Sequence, residues 1–178
     1  MMGRMSARTA VRDVCWGTLA LLLAGHASAQ TVRICQVQGT AATTTMLGSK
    51  VSVTGVVTAD FTATSVKGFF LQEPGCDADA TTSDGILVDT SGRTVAVTVG
   101  NRVTVTGRVT DSGLTTIALE SLSDSGPYAG SIQAVRLSPP ADPTAAAAHL
   151  ESFEGMLVSL LPSRVIAATN HYGDAFVM

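Results

Sequence analysis

The sequence predicts an all-β protein, a small β-barrel behind a cleavable export signal, and three observations carry the prediction. Short runs rich in Val, Thr and Gly alternate apolar with polar residues between turn residues, which is how antiparallel strands read. One such run occurs twice at an offset of 52 residues, with a glycine in the middle of each copy. The N-terminus has the three parts of a secretory leader.

In the leader, Arg4, Arg8 and Arg12 precede an eleven-residue apolar run, 14–24, which ends at the small-residue triplet Ala27-Ser28-Ala29. The alternative is a membrane anchor, but a spanning helix needs about 20 apolar residues. Residues 1–29 therefore read as a signal peptide, with Gln30 as the first mature residue and a secreted or periplasmic location. No membrane attachment is expected after cleavage. Loss of Arg4, Arg8, Arg12 and Asp13 takes the formal charge from −3 to −5. That balance excludes a general polyanion binder, because non-specific nucleic-acid affinity rests on phosphate neutralisation by Lys and Arg.

Strands are expected at 32–37, 51–61, 68–73, 85–89, 102–111 and 114–120, with a weaker one at 132–137. The repeat lies in two of them: Gly48-Ser-Lys-Val-Ser-Val-Thr-Gly-Val-Val-Thr58 and Gly100-Asn-Arg-Val-Thr-Val-Thr-Gly-Arg-Val-Thr110 share seven of eleven positions. Period-2 geometry puts Val51, Val53 and Val57, like Val103, Val105 and Val109, on one face, so the two valine faces should meet in one core. Gly55 and Gly107 share that inward parity and are expected at bulges or bends, as at a barrel corner. An open sandwich is the alternative.

Cys15 leaves with the signal, so Cys35 and Cys76 remain as an even pair in an oxidising compartment. Such a pair commonly bridges, the alternative being two separate buried thiols. Beyond the Pro139-Pro140 break, Asp142-Pro143 offers an N-cap followed by proline at the first helical position. An alanine-rich helix should run from there to about Phe153, with Gly155 placed to end it. The expected organisation is a barrel domain over 30–137, a linker and short helix over 138–154, and the start of a second β module, truncated, over 155–178.

Several motifs in order then resemble a known family. Gln38-Gly39, Val53-Thr-Gly-Val-Val-Thr-Ala-Asp60, Gly68-Phe-Phe-Leu-Gln-Glu73, Thr82-Ser-Asp-Gly-Ile86 and Gly100-Asn-Arg-Val-Thr-Val-Thr-Gly107 look like the OB-fold domain of bacterial secreted nucleases. There the module precedes an endonuclease/exonuclease/phosphatase catalytic domain. Leu150-Glu-Ser-Phe-Glu-Gly-Met-Leu-Val158 and Tyr172-Gly-Asp174 resemble the segment that follows it, so the likeness spans residues 32–178. Cys35, Cys76 and the short motif Ile86-Leu-Val88 depart from the pattern. The resemblance implies an OB-like barrel, here an N-terminal fragment, accessory to metal-dependent phosphodiester hydrolysis. The Mg or Mn of that chemistry would belong to a downstream catalytic domain, and this chain shows no catalytic constellation.

An OB barrel carries ligands on the outer face of its middle strands and in adjoining loops. Lys67, Phe69, Phe70, Arg93, Arg102 and Arg108 are accordingly the candidate nucleic-acid contacts, although aromatic residues make up only 4% of the chain, few for a stacking platform. Phe69 and Phe70 point to opposite faces, one to the core and the other available to a base. Asp77, Asp79 and Asp84 alternate in a glycine-ended loop and are candidate Ca ligands. However, Thr82 stands where an EF-hand loop has Gly, and Val88 where it has Glu; the alternative is a solvated acidic turn. His149 and His171 stand apart, which leaves no Cys/His cluster, and Asn170, His171 and Asp174 match catalytic residue types only by proximity. Two functions fit: an accessory nucleic-acid-contacting domain of an exported nuclease, or a structural spacer or protein-interaction module on the same fold.

Overall fold

The computed structural model describes residues 28–162, 164–168 and 176–177. The segment expected to be a signal peptide, apart from its last two residues, lies outside them, as do Asn170, His171, Tyr172 and Asp174. In chain order the elements are β1 (Gln30–Thr31), α1 (Ile34–Gln38), β2 (Lys50–Asp60), β3 (Gly68–Gln72), β4 (Gly85–Asp89), β5 (Asn101–Asp111), β6 (Thr115–Pro127), β7 (Val135–Arg136), α2 (Pro143–Glu151), β8 (Val158–Ser159), β9 (Val165–Ala167) and β10 (Phe176–Val177).

Strands pair in the order β2-β3-β4-β6-β5, and β5 returns to β2, closing a five-stranded barrel. Every pairing around the ring is antiparallel except β4 with β6. This ring is an OB-fold barrel. An open sandwich is excluded, because closure leaves no free edge between β2 and β5.

The repeat explains how the ring closes. Its two copies are hydrogen-bonded neighbours, with Val53 opposite Val105, Val51 opposite Gly107, and Gly55 opposite Val103. A local two-fold axis therefore passes through the Val53–Val105 pair. Both valines are buried, as are Val51, Val57, Val103 and Val109, so the two valine faces do meet in one core. Phe69, Leu71, Ile86, Val88 and Ile117 fill the rest.

The two glycines differ from each other, and one of them from expectation. At Gly107 the β5–β6 register shifts, and a Cβ there would run into the Ala118 carbonyl. That position is the expected bulge. Gly55, by contrast, sits in unbroken register with Val103, and the irregularity in β2 falls between Val57 and Ala59. The need for glycine at 55 is spatial: a Cβ would lie 3.1 Å from the Gln72 carbonyl oxygen and 3.3 Å from Ile34 Cδ1.

Residues 34–37, expected within a strand, form α1 instead, together with Gln38. Ile34 and Val37, one turn apart, both insert into the core, and the Gln36 side chain accepts the Arg33 backbone N–H at 2.9 Å. Glu73 accepts the free Ile34 N–H at 2.9 Å, so a residue 39 positions away supplies the anion at the helix start. Cys35 is joined to Cys76 in a disulfide with Cα atoms 5.9 Å apart, which ties α1 to the β3–β4 loop. β6 runs on to Pro127, past the expected end at Glu120, because it stays paired with β5 throughout. The weak seventh strand shrinks to Val135–Arg136.

Asp142 caps α2 as expected, its carboxylate accepting the Ala145 N–H at 2.8 Å. The segment after α2 lies on the barrel. Gly155, at φ 71°, sits so tightly against Gly85 that neither position has room for a Cβ. Ser83 Oγ donates to the Glu154 carbonyl at 2.6 Å, and Leu157 N–H to Gln72 Oε1 at 2.9 Å. The boundary expected at 155 thus falls within a strap, residues 153–157, that packs across β3 and β4. Among the described residues no helix is long and apolar enough to cross a membrane.

Glu154 holds this strap through a second contact, its carboxylate accepting the Thr115 N–H at 2.7 Å. Burial pushes its carboxyl above the ordinary value of 4.5, and Glu151 and Asp111 push the same way, against the hydrogen bonds from Thr115 and Gln38. A raised folded-state pKa gives a contribution that is complete below about 4.5 and lost as pH rises through the folded value. Glu154→Gln keeps an acceptor for Thr115 and removes that loss. In urea melts at pH 4 and pH 7 the variant should gain stability relative to wild type at the higher pH. A gain by wild type instead would show that the ionised carboxylate is the form the strap needs.

Candidate nucleic-acid interface

The β2–β3 loop and the β4–β5 loop leave the same end of the barrel and enclose a cleft of about 440 Å³. Lys67 reaches it from the β2–β3 loop and Arg93 from the β4–β5 loop, and Thr62, Thr90 and Thr94 also line it. Lys67 has left-handed backbone, φ 52°, a conformation that costs energy in a residue with a Cβ. Thr90 holds it there: its N–H and its hydroxyl both donate to the Lys67 carbonyl at 2.7 Å. Neither cation is within ion-pair distance of a carboxylate among the described residues.

The other candidate contacts do not join this cleft. Phe69 is fully buried in the core and cannot meet a ligand, which settles which of the two phenylalanines faces inward. Phe70 is half-buried on the outer face, edge-on to Phe61 at 6.1 Å and beside Met156 and Leu157 of the strap. Arg108 donates to the Gly48 carbonyl at 3.2 Å and lies 3.7 Å from Glu120. Glu120 also takes Lys50 at 2.6 Å, and that hydrogen bond, with the charges of Lys50 and Arg108, holds its carboxyl below the ordinary range. Arg102 opens onto a separate cleft with Tyr128. Lys67, Arg102 and Arg108 are thus three sites and not one cationic strip, since strand parity does not say where along a barrel a residue stands.

The acidic loop is a turn tied by its own hydroxyls. Asp77 accepts from Thr82 Oγ1 at 3.0 Å and from the Asp79 N–H at 2.9 Å. Asp79 accepts from the Thr81 hydroxyl and N–H, which lower its pKa. Asp84 is driven the other way by partial burial, then by Asp77 and Glu73. Among the described residues no group of three or more His, Cys, Asp or Glu side chains is arranged to hold a metal ion.

Sequence reasoning missed Tyr128 and the strap. Tyr128 follows Gly126-Pro127, a turn signal that marks an aromatic carried on a loop. For the strap only Gly155 left a trace, and it read as a helix stop.

Fold and cleft together define a closed OB-fold barrel with a cation-lined loop cleft at one end. No protein-family model matches the chain, and no curated protein matches it. Among solved structures it is similar to the telomere capping protein Ten1 from Saccharomyces pombe, at 16% identity and a TM-score of 0.39, over 55% of this chain and 82% of that one. It is similar also to the S. pombe Stn1-Ten1 complex, at 17% identity and a TM-score of 0.37, over 57% and 80%.

Proposed function

We propose that this chain is an accessory OB-fold domain of an exported nuclease, which holds a single strand of nucleic acid near a catalytic domain. The observation that carries the reading is the loop cleft that Lys67 and Arg93 both line, neither within ion-pair distance of a carboxylate among the described residues and Arg93 facing Glu120 only at longer range. The ordered motifs that resemble secreted-nuclease modules support the nuclease context. Two cations on a chain of net charge −5 after signal cleavage make a weak site, screened strongly by salt. A weak site suffices in a tethered domain, because a short linker raises the local strand concentration to about the millimolar range.

The test is a titration of the exported protein with fluorescent single-stranded DNA at low salt. Neutralising Lys67 and Arg93 together should weaken binding and lower the salt slope by about two, roughly one for each phosphate no longer neutralised. Neutralising Arg102 and Arg108 should change little. Absence of binding at millimolar protein, or equal weakening in both double variants, would refute the assignment.

A further inference from the structure

Three clefts line up along the outer face of β2 and share walls. The first, about 170 Å³, contains Arg102, Thr54 and Glu73. The second, about 240 Å³, shares Val56 and Tyr128 with it. The third, about 210 Å³, shares Thr58 and Leu157 with the second and ends at Phe70. Together they make one groove whose floor runs from Thr54 to Ala59, roughly 17 Å at the rise of a strand. Tyr128 and the strap residue Leu157 form its walls.

The groove is charged at one end only. Arg33 and Glu73 neutralise each other at 2.8 Å, and Glu73 is further occupied by the Ile34 N–H. Arg102 is left as an exposed guanidinium with no carboxylate in ion-pair distance among the described residues. Beyond it the lining is Val56, Val99, Ile132, Leu157, Met156 and Phe70, which carries no charge. A nucleic-acid strand laid along this length would bring a phosphate for every nucleotide and find a single cation. β2 pairs with β5 up to Val56 and with β3 from Val56 on, and the clefts open over its outer side-chain face, where a ligand is read by its side chains.

We propose that this groove docks an extended peptide segment of a partner protein, with an acidic side chain on Arg102 and apolar side chains at the second and fourth positions beyond it. The period of two follows from an extended chain presenting alternate residues to the floor. One carboxylate per segment matches the one free guanidinium, and the remaining contacts bury apolar surface on both partners. This docking is independent of the nucleic-acid reading, which rests on Lys67 and Arg93 at the end of the barrel.

A display library of random heptapeptides, panned on the exported protein and on its Arg102→Glu variant, tests the proposal. On wild type the enriched sequences should carry Asp or Glu with apolar residues two and four positions away. On the variant they should carry Lys or Arg in place of the acid. A synthetic peptide from the wild-type set should bind Arg102→Glu at least about ten-fold more weakly, the usual loss for a charge-assisted hydrogen bond. Its Glu→Lys counterpart should recover that loss. Lys67→Gln should leave peptide affinity unchanged, and Leu157→Asp, which puts a charge into the apolar wall, should abolish it. Enrichment of the same sequences on both proteins, or of none on either, overturns the proposal. So does displacement of the peptide by single-stranded DNA together with loss of DNA binding in Arg102→Glu, which would make the groove part of the nucleic-acid site.

Discussion

Val105→Asp should yield no cooperatively folded protein. Val105 is fully buried, and its cross-strand partner Val53 is buried at 1% exposure, at the centre of the β2–β5 contact. A carboxylate there has no cation within the core, and an unpaired buried charge costs several kcal/mol or forces the group to stay protonated. The whole net stability of a domain is only about 5–15 kcal/mol. Val105→Ala separates loss of packing from burial of charge: it should fold, with a loss of about 2–3 kcal/mol from transfer and cavity terms together. Val53→Asp should behave like Val105→Asp, because Val53 is as deeply buried and lies directly opposite Val105 in the core. Thermal melts followed by far-UV circular dichroism read all three, and a sharp transition in either aspartate variant would show that the strand parity of the repeat is reversed.

Replacing Cys35 and Cys76 by serine should lower stability by about 3–4 kcal/mol, the chain-entropy value for a loop of the 41-residue separation closed by the bridge. The loss should be concentrated at one end of the barrel. The bridge fixes α1 against the β3–β4 loop, and Ile34 and Val37 reach the core only with α1 in place. Hydrogen exchange should therefore quicken at 34–38 and 73–76 more than in β5 and β6. Thiol titration of unfolded, unreduced wild-type protein should find no free thiol at these positions. Two titratable thiols there would mean that the bridge does not form in the protein.

Much of the barrel was legible because its cause is local. The two copies around Val53 and Val105 alternate with period two, and parity alone fixed which valines face inward. Asp142-Pro143 placed the start of α2 for a similar reason, since an N-cap and a proline at the first turn act within a few residues. The even cysteine pair was legible from compartment and count, while its geometry was not. Where the cause lay far along the chain, local reading went astray. Residues 34–38 carry a β-like composition, yet their N-terminus is completed by Glu73 and their tether by Cys76, so tertiary contacts override the propensity. Gly55 read as a bend and is a close approach, because the atoms that exclude its Cβ belong to Gln72 and Ile34.

For the candidate site the division is sharper. The sequence by itself determined the five barrel strands, the inward valine face, the cation residue types, and that one of Phe69 and Phe70 is core. Only the tertiary structure decided that Lys67 and Arg93 line one cleft, that Arg108 is taken by Glu120 and Gly48, and that Arg102 opens onto a separate cleft beside Tyr128. Strand periodicity encodes the face on which a side chain lies. Its neighbours along and around a closed barrel depend on register and strand order, which are set by the core and by contacts between residues tens of positions apart.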